Sequence, residues 1–209
     1  MRGLIPERAG AIVARPVPDE SLSMQIEPTA LPEVLILTPP RFGDARGWLE
    51  VSWSRATLAD AGLETPEFLQ DNHSFSATRH TLRGLHYQAP PRAQDKLVRC
   101  TRGAVLDVAV DIRRGSPRYG HWVAVELSAE NRRQLWVPKG FLHGFLTLSR
   151  DAELQYKCTD VYAPECDGAV AWDSCGIDWG DVSDPVLSDK DAAAPALGDF
   201  DSPFVWQAP

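Results

Sequence analysis

The chain has 209 residues, enough for one domain with a proper core but too few for two full domains. At 44% hydrophobic and 24% charged residues it is ordinarily globular, and no apolar run approaches the ~20 residues that span a bilayer. A net charge of −8 excludes a general attraction for nucleic acid or an anionic membrane surface, so a bound anion needs a local cluster of cations.

Residues 1–25 carry Arg, Pro and Gly without period and lack the apolar core of a signal peptide. They are expected to form a disordered extension, with Met24 as a plausible true start. An apolar run at 34–37 ends at Pro39-Pro40, and 48–53 follows the turns at Gly43-Asp44 and Arg46-Gly47. Residues 55–63 read as a short helix ended by Gly62. Strands are expected at 81–88 and 96–100, with a turn at Arg102-Gly103.

The stretch 105–112 alternates cleanly, Leu106, Val108, Val110 and Ile112 against Asp107, Ala109 and Asp111, which predicts a half-buried strand. Further strands follow at 122–127, 134–137, 141–148 and 153–160. Such spacing, with Gly and Pro turns between, predicts an all-β sandwich or barrel. After Trp172 the chain reads as loop, ending in a polar, Pro-rich tail. The four cysteines, Cys100, Cys158, Cys166 and Cys175, form no C-x-x-C pair and are expected to be free thiols in a reducing cytoplasm.

The chemistry concentrates in Leu82-Arg83-Gly84-Leu85-His86-Tyr87-Gln88 and the nearby Lys96-Leu97-Val98-Arg99. Arginine holds phosphate bidentately, histidine takes a proton near neutral pH, and lysine steadies an oxyanion. Together they suggest proton abstraction next to a carbonyl on a phosphorylated substrate. Strict alternation points Arg83 away from His86, unless Gly84 marks a bulge that re-aims it. On local sequence alone, a core histidine bonded to a backbone carbonyl is an equal reading of His86.

Tyr156 shares a face with Leu154 and Cys158 and is expected to point inward. There it is either a core hydrogen-bond donor or an acid opposite the histidine. Pro138-Lys139-Gly140-Phe141-Leu142-His143 has the form of the second half of a cupin metal motif. The first half, H-x-H, reads His86-Tyr87-Gln88, so one histidine ligand is missing and a metal-free barrel is favoured. Asp191, in a polar stretch, reads by default as a solvated loop charge.

The stretches FGDARG (42–47), QDNHS (70–74), LRGLHYQ (82–88), KLVRC (96–100), ELSAENRRQLWVPKGFLHGF (126–145), YKCTD (156–160) and LSDKDAAAP (187–195) closely resemble the dTDP-4-dehydrorhamnose 3,5-epimerases. The resemblance runs from about residue 32 to residue 197. It implies a cupin-like double-stranded β-helix, or jelly roll, with short helices, over 26–198, followed by a tail at 199–209. It implies a homodimer with no cofactor and no metal, acting on a thymidine-diphosphate 4-keto-6-deoxy sugar.

The family's base falls on His86, the base's aspartate partner on Asp191, the acid on Tyr156 and the lysine beside the ketone on Lys96. Its nucleotide and phosphate contacts fall on Arg46, Gln70, Asp71, Asn72, Arg83, His143, Asp167 and Lys190. The implied reaction removes protons from C3 and C5, which the C4 ketone acidifies, and returns them to the opposite face. A reference imidazole pKa of about 6.5 suits such a base.

Four positions depart from the family pattern. The usual glutamate after the D-x-R-G turn falls on Val51, with Glu50 one residue early and therefore on the other strand face. Asp167 replaces a glutamate, Val161-Tyr162 keeps one aromatic of a tyrosine pair, and the loop 172–176 is two residues short by comparison. A mono-epimerase of a related 4-keto sugar is the alternative close at hand. A metal-dependent cupin enzyme and a non-catalytic sugar-nucleotide binding module are the readings from other classes.

Overall fold

The computed structural model describes residues 23–208. Thirteen strands dominate among them: β1 (Gln25–Pro28), β2 (Leu35–Thr38), β3 (Arg41–Asp44), β4 (Gly47–Glu50), β5 (Gln70–Ser76), β6 (Leu82–Gln88), β7 (Lys96–Arg102), β8 (Ala104–Asp111), β9 (Trp122–Ser128), β10 (Gln134–Val137), β11 (Phe141–Thr147), β12 (Ala152–Cys158) and β13 (Asp167–Ala169). Two short α-helices, α1 (Arg55–Asp60) and α2 (Asp189–Ala192), interrupt the series. The all-β class read from the alternation is the observed one. Strands β1, β3, β5 and β13 lie in polar or Gly-rich sequence, where alternation gives no signal.

A six-stranded sheet in the order β1-β2-β10-β7-β12-β5 faces a five-stranded sheet in the order β13-β6-β11-β8-β9. The pairings within both sheets are antiparallel. β3 and β4 form a separate hairpin. Helix α1 starts where Ser54 Oγ accepts from the Thr57 N–H, buries Leu58, and gives way to Gly62 at φ 87°.

The sheets enclose one core, which includes Val98, Leu135, Val137, Phe145 and Leu154. The outer face of the five-stranded sheet carries a second core, where Leu85, Val110, Leu142 and Leu146 meet Val170, Trp179 and Phe204. A third core lies outside the six-stranded sheet, where Met24, Leu37, Leu97 and Trp136 meet Leu58 of α1. Each buried Leu of this kind contributes about 1.5–3 kcal/mol.

These outer layers correct one expectation. β8 is buried on both faces: Val108 and Val110 join the second core, Val105 and Ala109 join the first, and Asp107 and Asp111 are fully buried. The face read as solvated is the barrel interior. It tolerates carboxylates because each is bonded, Asp107 to His143 and Asp111 to Arg113 and Ser116.

The two chain ends differ in the same way. Met24 is buried and Gln25 opens β1, so organised structure begins before the expected boundary at residue 25; the rest of the expected disordered extension lies outside the described residues. The tail after residue 198 packs on its own domain. Phe200 and Phe204 meet the ring of Tyr87 at 5.2 and 6.3 Å between centroids, and the Arg114 N–H donates to Phe204 O at 2.9 Å.

Candidate active site

β6 carries Arg83 and His86, and its local geometry decides which side chains meet. His86 pairs with His143 on β11, and Arg83 pairs with Phe145, so three steps along β6 match two along β11. This bulge turns Arg83 to the same side as His86, and both line a cavity of about 450 Å³ between the sheets. Gly84 takes φ 129°, and a Cβ there would stand 2.6 Å from the Gly144 Cα. The bulge therefore needs glycine on both strands.

His86 Nε2 lies 2.6 Å from Asp191 Oδ1, with the imidazole half-exposed to the cavity and the carboxylate buried. The other Asp191 oxygen accepts from the Gly84 N–H at 3.3 Å. Asp191 is held on α2, whose N-cap, Ser188, accepts from the Asp191 N–H. Burial works to raise the Asp191 pKa, but the His86 contacts and the Gly84 and Ser188 hydrogen bonds outweigh it and hold the carboxyl below its ordinary value. The solvated-loop reading of Asp191 thus gives way to a buried, ionised partner. With Nε2 committed, Nδ1 is the ring atom left for a substrate.

Tyr156, on β12, lines the same cavity from the opposite sheet. Burial, reinforced by Cys158 and opposed by Arg83, raises its phenol pKa and keeps it protonated. Lys96, at the start of β7, lines the cavity too. Burial lowers its pKa against the pull of Cys158, Asp167 and Asp107. Among the described residues no salt bridge includes Lys96. A half-buried cation without a paired carboxylate is suited to meet a developing negative oxygen.

Sequence reasoning placed His143 at the site but missed its partner. His143 Nε2 sits 2.9 Å from Asp107 Oδ1, and both side chains are buried. The available signal was an acid inside an apolar strand pattern, which is rare without a partner. Gln88, at the place of the second cupin histidine, accepts from the Ala163 N–H at 2.9 Å and donates to Val161 O at 3.0 Å. Its amide ties down the 161–163 loop. Among the described residues no three His, Cys, Asp or Glu side chains converge in a way that could hold a metal ion.

The expected nucleotide contacts divide into three groups. Arg83, His143 and Lys190 line the catalytic cavity. Gln70, Asn72 and Asp167 line an adjoining space of about 270 Å³ that also reaches His86, Lys96 and Tyr156. Lys190 and the Tyr162 hydroxyl both bond to Asp167 Oδ2, so the aspartate at the usual glutamate place gathers the rim. Asp71 and Arg46 stand apart. Asp71 points to the outer face of β5 and pairs with Lys157 at 2.9 Å, and Arg46 sits at the tip of the β3–β4 hairpin, paired with Asp44 and 90% exposed. Glu50 turns inward to Arg41 at 2.9 Å, while Val51 is exposed.

Comparison with known proteins identifies the family. The family described as dTDP-4-dehydrorhamnose 3,5-epimerase matches residues 28–199. The dTDP-4-dehydrorhamnose 3,5-epimerase of Salmonella typhimurium is 53% identical over 171 residues, covering 81% of this chain and 93% of that protein. The crystal structure of a dTDP-6-deoxy-D-glucose-3,5-epimerase from Legionella pneumophila, in complex with dTDP-4-keto-L-rhamnose, superposes with a TM-score of 0.83 at 45% identity, covering 88% of this chain and all of that one. A 3'-monoepimerase from Streptomyces bikiniensis, in complex with dTDP-quinovose, superposes with a TM-score of 0.76 at 36% identity, covering 82% of this chain and 87% of that one. A cupin-like barrel with its histidine–carboxylate pair facing a tyrosine, matched over most of its length by these proteins, belongs to the dTDP-4-dehydrorhamnose 3,5-epimerase family.

Proposed function

We propose that the cavity epimerises dTDP-4-dehydro-6-deoxy-D-glucose at C3 and C5 to dTDP-4-dehydro-L-rhamnose, with His86 as base and Tyr156 as acid. The observation that carries this reading is the His86–Asp191 pair facing Tyr156 across one cavity, with Lys96 lining the same cavity from the sheet of Tyr156. Asp191 orients the imidazole and stabilises its charged form, leaving Nδ1 to take a proton from carbon. The electron pair of the broken C–H bond moves into the enolate, whose oxygen Lys96 holds. Tyr156 gives its phenolic proton to the opposite face of that carbon and regains one from solvent, while His86 releases to solvent the proton it took. Repeating the cycle at the second carbon inverts both centres with no net gain or loss of protons.

Arg83, free of any carboxylate partner among the described residues, suits the diphosphate; Gln70, Asn72, Asp167 and Lys190 suit further polar groups of the ligand around the reacting sugar. Arg46 and Asp71 do not reach this chain's own catalytic cavity. The β3–β4 hairpin that carries Arg46 exposes Trp48 (63%) and Leu49 (68%), side chains apolar enough to be covered by another surface. A homodimer in which this hairpin lies against the second copy accounts for both facts. The four free cysteines suit a reducing cytoplasm, and among the described residues no helix is long and apolar enough to cross a membrane.

The test is turnover of dTDP-4-keto-6-deoxy-D-glucose in heavy water, with deuterium read at each carbon by NMR. Label at both C3 and C5, with an L-rhamno product on reduction, is the expected result. Label and inversion at one carbon alone would replace this reading with the mono-epimerase, and no label would sink both.

A further inference from the structure

One face of β5 carries four polar side chains, Gln70, Asn72, Ser74 and Ser76, while Asp71, His73 and Phe75 are exposed on the other. Three of the four have partners. Gln70 accepts from the Tyr162 N–H and donates to Asn72, Asn72 donates to Cys158 Sγ at 3.6 Å, and Ser76 Oγ accepts from Arg83 Nε at 3.3 Å. Ser74 is the exception. Its Oγ is buried and has no hydrogen-bond partner among the described residues, although Ser74 lines the catalytic cavity. Buried hydroxyls are bonded in the great majority of cases, so an orphan at a cavity wall needs a partner that arrives from outside.

The strand register says where that partner lies. Lys96 is level with Cys158 on β12, Tyr156 with Asn72, and Ser74 with Leu154, while Arg83 reaches Ser76 one step further on. Ser74 thus stands between the tyrosine and the arginine. If the ketone meets Lys96 and the diphosphate meets Arg83, the sugar oxygens between them are the 3- and 2-hydroxyls and the ring oxygen, of which the 2-hydroxyl and the ring oxygen lie nearer the diphosphate. A serine hydroxyl moves among staggered rotamers at low cost and can turn to meet an oxygen that enters.

We propose that Ser74 is a further substrate-binding residue, whose hydroxyl donates a hydrogen bond to a sugar oxygen lying between the reacting carbons and the diphosphate. This rests on the epimerase reading of the cavity. That reading is tested separately by isotope uptake in the parent enzyme, which does not depend on Ser74.

The experiment compares the parent with Ser74→Ala and Ser74→Cys in steady-state kinetics, thymidine diphosphate binding and thermal melting. In Ser74→Ala, kcat/KM should fall about 3- to 10-fold, the worth of one neutral hydrogen bond, and the melting temperature should stay level or rise because a buried orphan is gone. Affinity for thymidine diphosphate alone should be unchanged, since the contact is to the sugar. Ser74→Cys keeps the shape with a much weaker donor and should show the same loss. Parent-like kcat/KM in either variant overturns the proposal. So does a joint fall in melting temperature and thymidine diphosphate affinity, which would make Ser74 structural.

Discussion

Two histidine–carboxylate pairs sit side by side on β6 and β11, and they are built for different work. His86 is 31% exposed to the cavity, and its partner, Asp191, comes from α2, 105 residues away. His143, directly across the strand pair, is 8% exposed, and Asp107 reaches it from the neighbouring β8 with no exposed surface at all. The same two groups thus make a pair open to the cavity in one place, which the proposed mechanism uses as its base, and a nearly closed contact in the other. Access decides the difference: proton transfer needs a ring nitrogen that a substrate can reach, and a pair this deeply buried at the cavity wall chiefly holds its strands in place.

Breaking the open pair should cost the most activity. His86→Ala should lower turnover by about 10⁴-fold while sparing thymidine diphosphate binding, because it deletes the base and leaves Arg83 in place. Full activity in that variant, measured by deuterium uptake, would end the proposed mechanism. Asp191→Asn keeps the shape but loses the charge that supports the imidazolium, and should slow turnover by roughly 10²-fold. It should also change acid stability. The folded Asp191 pKa lies below its unfolded value, so the unfolded chain binds more protons in the acid range. Its contribution is present above the unfolded pKa and is lost as pH falls through the folded one. The difference in denaturant midpoint between parent and Asp191→Asn should therefore shrink on acidification.

The acid side of the cavity sharpens the comparison. Tyr156→Phe should impair inversion by about 10²-fold yet retain proton exchange between substrate and solvent, since His86 still removes and returns a proton on its own face. Equal losses of exchange and inversion would remove Tyr156 from the acid role. Breaking the closed pair should act mainly on stability. Asp107→Ala leaves His143 buried without its acceptor and should cost about 1–3 kcal/mol in urea unfolding. A loss of activity as large as that of His86→Ala, with stability intact, would place His143 in proton transfer instead. The smallest effect is expected at the hairpin. Trp48→Asp should shift sedimentation toward monomer while leaving the melting of the isolated domain nearly unchanged, because Trp48 is 63% exposed in the single chain.

The sequence by itself determined the strand-rich architecture and the chemical kinds of residue at the site. Period-two alternation sufficed for β8, and Gly62 marked the end of α1. Arg83, His86, Lys96 and Tyr156 were legible because arginine, histidine, lysine and an inward tyrosine lie on predicted strands with known faces, and the family resemblance assigned their roles. Tertiary structure alone decided the rest. Alternation defines two faces of a strand but not what covers each, so Asp107 looked solvated, whereas its face lies in the barrel interior and the chain from Val170 to Phe204 covers the other face of β8. The bulge at Gly84 depends on a close approach to Gly144, 60 positions further along the chain, and only that packing turns Arg83 into the cavity. Asp191 reads as a loop charge in any local window. It becomes the buried partner of His86 because α2 docks against β6, a contact between distant segments that no local pattern encodes.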